Sequence, residues 1–260
     1  MSNWRAVWLL ALTLVPGGTA AEKPDAKKPE PPRVLLALPL MIEAGTNSLV
    51  RLRGTGITNA TGIQLGTTNA NVTATLKSKG KADVPKDYDV KRVGDAQVEL
   101  ELKLPQSLSV TSLTLIVTAP EGATAPYELL VAAKGSLLAE REPNGGFRQA
   151  QELPFDRPVR GTIGEPGDVD VFHFRGKAGD QITATVTSAR GGTPLDGILM
   201  LHDRAGHLLA TCDDSETSAD PALHIRLPAD GDYFLTLIDA HDRGSALHAY
   251  VLTISRTGGK

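Results

Sequence analysis

Gln97-Val98-Glu99-Leu100-Glu101-Leu102-Lys103-Leu104 alternates polar and apolar residues without a break. Val98, Leu100, Leu102 and Leu104 share one parity, and Gln97, Glu99, Glu101 and Lys103 share the other. Successive side chains of an extended chain point to opposite faces, so this stretch reads as a half-buried β-strand. Leu49-Val50-Arg51-Leu52-Arg53-Gly54 upstream, and Leu113–Val117 and Tyr127–Val131 downstream, follow the same habit. Thr55-Gly56, Thr61-Gly62 and Glu121-Gly122 supply turns between them. No stretch carries a helical stripe. About seven short strands in ~100 residues predict an antiparallel sandwich over residues 33–135.

The texture continues beyond residue 135. Strands are predicted at Val159–Ile163, Val171–Phe174, Gln181–Thr187, Ile198–Asp203, Leu208–Thr211, Leu223–Leu227, Asp232–Asp239 and Ala249–Ser255. Asp203-Arg204-Ala205-Gly206 and Ala229-Asp230-Gly231 are hairpin turns by composition. Charge changes at the same place. Residues 33–135 hold 11 Lys/Arg against 9 Asp/Glu, a net of +2; residues 136–260 hold 12 against 18, a net of −6, and all six histidines. A domain boundary is expected near Lys134–Leu138. The fold class expected is all-β, two antiparallel β-sandwich domains in tandem, at 33–135 and 136–256.

The whole chain has 260 residues, 41% hydrophobic and 22% charged, with net charge −3. That composition excludes wholesale disorder, and its near-neutral balance gives no reason to expect nucleic acid as a partner. One cysteine, Cys212, excludes an internal disulfide. The N-terminus orders a charged Met1–Arg5, an apolar Ala6–Val15, the breaker Pro16-Gly17-Gly18 and the small residues Thr19-Ala20-Ala21. This is the order of a secretory signal peptide, assigned to residues 1–21. Its apolar run of ~10 residues is too short to cross a bilayer, so no transmembrane anchor is expected in the mature chain. Residues 22–32, ending Pro29-Glu30-Pro31-Pro32, form a proline-rich linker. The chain is therefore expected to be exported, to the periplasm, the cell surface or the medium.

Residues 33–135 resemble immunoglobulin-like modules of the IPT/TIG type, through Leu38-Pro39, Gly45-Thr46, Arg53-Gly54-Thr55-Gly56, Leu65-Gly66 and Thr118-Ala119-Pro120-Glu121-Gly122. Residues 136–256 resemble the bacterial pre-peptidase C-terminal domain, a jelly-roll-like sandwich appended to secreted peptidases. The matching segments are Glu140-Arg141-Glu142-Pro143-Asn144-Gly145-Gly146-Phe147, Gly167-Asp168-Val169-Asp170-Val171-Phe172-His173-Phe174, Leu201–Ala210 with its Asp-x-x-Gly turn, Leu227–Leu235 and Tyr250–Ile254. Val171 departs from the family, which often has an aromatic residue there.

The richest set of chemical groups is acidic. Glu140, Glu142 and Asn144 alternate, so they point one way if the segment is extended, and Asp168 and Asp170 share parity at a strand start. Calcium takes six to eight oxygens, largely from carboxylates and carbonyls, which two such clusters brought together would supply. Isolated, the same residues would be a turn cap and solvated strand ends. The resemblance to secreted collagenases implies a calcium site at Glu140, Glu142, Asn144 and Asp168, with Asp170 the looser match and Gly145 standing where relatives carry another acid. Asp213, Asp214, Glu216 and Asp220 read as a solvated turn, Lys77-Ser78-Lys79-Gly80-Lys81 as a solvated basic loop, Cys212 as a small buried hydrophobe, and the histidines as surface or strand residues. There is no His-Glu-x-x-His or Gly-x-Ser-x-Gly motif, so no catalytic residues are assigned. The expectation is a non-catalytic exported binding or spacer protein, calcium-stabilised, that engages a protein or cell-surface partner. The alternative that the resemblance implies is an accessory, collagen- or polysaccharide-type subunit of a secreted peptidase or hydrolase.

Overall fold

A computed structural model describes residues 30–66 and 71–257. The expected export signal and most of the proline-rich linker lie outside the described residues. The first half carries β1 (Arg33–Leu38), β2 (Met41–Glu43), β3 (Asn47–Thr55), β4 (Gly62–Leu65), β5 (Thr73–Lys81), the one-turn helix α1 (Val90–Val93), β6 (Ala96–Lys103), β7 (Ser112–Ala119), β8 (Gly122–Ala123) and β9 (Tyr127–Ala132). These form two sheets, β1-β3-β6-β5 and β2-β9-β7-β4, with β8 on β7. The alternating stretch is β6, hydrogen-bonded between β3 and β5. Its Val98, Leu100 and Leu102 are fully buried and meet Val50, Leu52, Leu115, Val117 and Leu129 in one core. Burying each such side chain contributes about 1.5–3 kcal/mol.

One expectation is corrected here. Lys77-Ser78-Lys79-Gly80-Lys81 is the second half of β5, not a loop. β5 is an edge strand whose apolar contribution is confined to the partly buried Ala74 and Leu76. Its remaining positions are polar, because lysines on a free edge oppose pairing with other chains. Lys77 reaches Glu101 at 3.3 Å and Lys79 donates to the Ala60 carbonyl at 2.6 Å.

The second half carries β10 (Leu138–Ala139), β11 (Gln151–Glu152), β12 (Val159–Thr162), β13 (Asp170–Gly176), β14 (Gln181–Thr187), β15 (Gly197–Asp203), β16 (Leu208–Cys212), β17 (Ala222–Arg226), β18 (Gly231–Asp239) and β19 (Ala249–Thr257). They form the sheets β10-β12-β19-β14-β17 and β11-β13-β18-β15-β16. Phe172, Phe174, Ile182, Val186, Leu199, Leu201, Leu235, Leu237, Tyr250 and Leu252 fill the space between them. Most ladders are antiparallel. β10 on β12 and β11 on β13 are parallel, and they decide where the acidic residues go. β10 belongs to one sheet and β11 to the other, so residues 140–150 cross from sheet to sheet around the edge of the sandwich. The Gln151 side chain ties the two ends of this crossing. It donates to the Ala139 carbonyl at 3.0 Å and accepts from Arg141 N at 2.7 Å.

Candidate metal centre

Glu140 is the first residue beyond β10, and its backbone amide still bonds Arg160 O in β12 at 2.9 Å. Oε2 accepts from Thr162 N at 2.8 Å, and Oε1 accepts from Asn144 Nδ2 at 2.9 Å and the Tyr250 hydroxyl at 2.8 Å. Tyr250 stands in β19, fully buried, and its hydroxyl also lies 2.7 Å from Asp170 Oδ2. Gly161 makes room for this contact: a Cβ there would sit 2.4 Å from the Tyr250 ring and 2.6 Å from Glu140 Oε2. Asp170 opens β13 and is fully buried. Glu142 accepts from Asn144 N at 2.9 Å and is exposed.

One carboxylate oxygen each from Glu140, Glu142 and Asp170 lie within 4.8 Å of one another. Asn144 is fully buried beside them, and its backbone carbonyl accepts from Val171 N at 3.1 Å, which docks the crossing segment on β13. Asn144 Oδ1 and Asp170 Oδ1 are buried with no hydrogen-bond partner. A buried acceptor left without a donor costs about 1–3 kcal/mol, and the three-carboxylate group beside Asn144 could hold a metal ion. Asp168 stands apart from the three-carboxylate group. Its Oδ2 accepts from Gly164 N at 2.6 Å and its Oδ1 from Val169 N at 2.9 Å, which closes the turn before β13.

Electrostatics follow from this crowding. Burial, then the hydrogen bond and charge of Glu140, pushes the Asp170 carboxyl up to about 9. Burial raises Glu142 as well, with Asp168, Glu140 and Glu165 adding repulsion. Burial, then the Asp170 and Glu140 charges, holds the Tyr250 hydroxyl well above the usual phenol range. The donors are all oxygen, which suits a hard cation such as calcium better than zinc.

The remaining candidates have other work. Asp220 is no solvated residue: it is buried and accepts from Ser188 N and Oγ, Ala189 N and Arg190, anchoring its loop. Burial pushes its carboxyl up, but the bonds from Ser188 and Arg190 outweigh that and leave it below the usual range. Cys212 packs on the core at the sheet edge but is only partly buried, and donates to Asp214 O at 3.3 Å. Among the histidines, His248 is fully buried. Among the described residues no helix is long and apolar enough to cross a membrane.

Comparison with known proteins places one segment of the second half within a known family model. Residues 168–238 match the model of the bacterial pre-peptidase C-terminal domain. The resemblance read from the sequence holds over this segment. Asp170 of the metal centre falls inside it, as does the turn residue Asp168, and Glu140, Glu142 and Asn144 precede it. A probable subtilase-type serine protease of Deinococcus radiodurans is 38% identical over 136 residues, which cover 49% of this chain and 18% of that protein. The chain thus spans less than a fifth of that relative's length. Among solved structures, the pre-peptidase C-terminal domain of the Bacillus anthracis collagenase is 16% identical, with a TM-score of 0.35, covering 45% of this chain and 100% of the domain. PliG of Salmonella Typhimurium, a periplasmic inhibitor of g-type lysozyme, is 16% identical with a TM-score of 0.31, covering 42% of this chain and 98% of that one.

Proposed function

We propose that this chain is an exported, non-catalytic binding module made of an immunoglobulin-like sandwich (33–135) and a pre-peptidase C-terminal sandwich (136–256), with calcium pinning the crossing segment to β13. The observation that carries the metal reading is the convergence of one carboxylate oxygen each from Glu140, Glu142 and Asp170, together with the unpartnered Oδ1 atoms of Asn144 and Asp170. Those four residues would hold the ion. Bound there, calcium offsets the mutual repulsion of the carboxylates and satisfies both orphaned acceptors. Its role is structural: it fastens the edge where the chain passes between sheets. The partner is a protein or a cell-surface component.

The test is a melt of the chain beginning at Glu22, followed by circular dichroism in calcium and in chelator. At a hundredfold excess over Kd, calcium adds about 2.7 kcal/mol, a rise in Tm of about 5–10 °C. Glu142→Ala and Asp170→Asn each abolish the rise. Coincident wild-type curves at millimolar calcium would remove the metal from the proposal and leave a metal-free module.

The 38% identity to a subtilase-type protease supports a second reading, an accessory module that brings a secreted peptidase to its substrate. That reading expects the chain to sediment with insoluble collagen or polysaccharide, whereas the spacer reading expects it to stay in the supernatant.

A further inference from the structure

No ladder joins the two pairs of sheets among the described residues, yet the halves meet along a built seam. Leu36 and Val93 of the first half pack on Leu247 of the second, and Leu40 packs on Ala249 and Val251. The Tyr127 hydroxyl accepts from Ala37 N at 3.0 Å and donates to Gly191 O at 2.9 Å. Arg160 Nη1 donates to Met41 O at 3.3 Å. At one end of this seam lies a titratable group. His248 is fully buried, with Nε2 3.0 Å from the Tyr88 hydroxyl across the seam and Nδ1 3.0 Å from Ser245 Oγ on its own side. The rings of Tyr88 and His248 meet edge to face, 5.7 Å between centroids.

We propose that the His248–Tyr88 contact is an acid-released latch between the two sandwiches, closed while the imidazole is neutral and opened when it gains a second proton. The groups around the ring argue for this. Ser245 Oγ already accepts from Leu247 N at 3.2 Å. A ring protonated on both nitrogens donates to Ser245 as well, so the serine hydroxyl must turn its own hydrogen elsewhere. The new charge sits without water, facing Arg243 from the loop before β19 and Arg92 from α1. Asp239, at the end of β18, is the one acid among the charges acting on the ring. Its Oδ1 is held by His241 N and Arg243 N, and its Oδ2 by Asp196 N. It thus shares its charge among three backbone amides, and burial of the ring outweighs its pull. Burial holds the docked imidazole below the ordinary histidine value, against the Asp239 charge and the Ser245 backbone hydrogen bond, which raise it; Arg243 and Arg92 add smaller repulsions.

The sign follows. A released ring titrates near ~6.5, and the docked ring lower, so docking is complete above that value and weakens as pH falls below it. The latch does not depend on the acidic centre binding metal.

Hydrogen exchange of the full chain, read by mass spectrometry and corrected for intrinsic rates, tests it at pH 7.5 and 5.5. Protection of β1 and α1, which flank the seam, falls several-fold, up to about tenfold, in the wild type, while β14 holds its protection. In His248→Gln, whose amide still reaches Tyr88 but does not titrate, seam protection stays level across the same range. Constant wild-type protection overturns the latch, and so does an equal fall in His248→Gln. Tyr88→Phe provides a second arm should the glutamine variant fail to fold. It keeps the ring and removes the hydroxyl, so its seam exchanges at pH 7.5 nearly as fast as the wild type at pH 5.5. Protection equal to the wild type at both values overturns the latch.

Discussion

Tyr250 has one hydroxyl proton and two carboxylate neighbours, Glu140 Oε1 at 2.8 Å and Asp170 Oδ2 at 2.7 Å. One donor cannot serve both acceptors, so the metal-free trio holds a further proton. Asp170 keeps it, since burial and Glu140 push that carboxyl up to about 9. A carboxyl raised in the folded state contributes stability that is whole below its unfolded value near ~3.9 and is lost as pH rises through the folded value. In chelator, the Tm should therefore fall between pH 6.5 and 9, a window in which the His248 latch stays closed. Asp170→Asn, which has no charge to bury, should flatten that fall and lose the response to calcium. A wild-type Tm that is level across this window in chelator would contradict the protonated trio. Strand parity, together with the family resemblance, put Glu140, Glu142, Asn144, Asp168 and Asp170 on a short list, and Glu140, Glu142, Asn144 and Asp170 lie together in the structure. Tyr250 was not legible in the sequence, because it sits 110 positions from Glu140 and its strand reads as core.

The strands that could be read are those with one wet and one dry face. β6 shows the reason. Val98, Leu100 and Leu102 are fully buried, while Glu99 and Glu101 bond the β5 side chains Ser78 and Lys77 on the other face. The two faces should separate in a urea titration. Leu100→Ala should cost about 2–5 kcal/mol, as a core truncation that leaves a cavity, whereas Glu99→Ala should stay within about 0.5 kcal/mol. Similar costs for the two would mean that the face assignment is wrong. β5 escaped reading because an edge strand gains little from burial, so its second half carries lysines rather than an alternating apolar set. β10 and β11 escaped for a different reason: two residues cannot display a period. Yet this pair decides the acidic centre, since the chain leaves one on one sheet and reaches the other on the facing sheet.

At the scale of the whole molecule, the shift from a net of +2 over 33–135 to −6 over 136–260 marked two halves, and the sheets keep to those halves. The seam between them had no comparable signal. It is made of single contacts from residues whose local pattern is turn or strand end, and only three-dimensional proximity reveals them. Gly191 is the clearest example. A Cβ there would lie 2.5 Å from Cδ2 of Leu40, a buried residue of the other half. Its lack of a side chain therefore serves the approach of one sandwich to the other, and this can be separated from any local effect. Gly191→Ala should destabilise the chain when Leu40 is present, and should cost less in a Leu40→Ala background, where the space is open. The double-mutant cycle should return a coupling of about 0.5–3 kcal/mol from urea denaturation, with the alanine pair more stable than the two single losses predict. Two alanine substitutions that add to within about 0.5 kcal/mol would mean that the sandwiches do not rest on each other at this point. Both the seam and the latch on it would then need a different geometry.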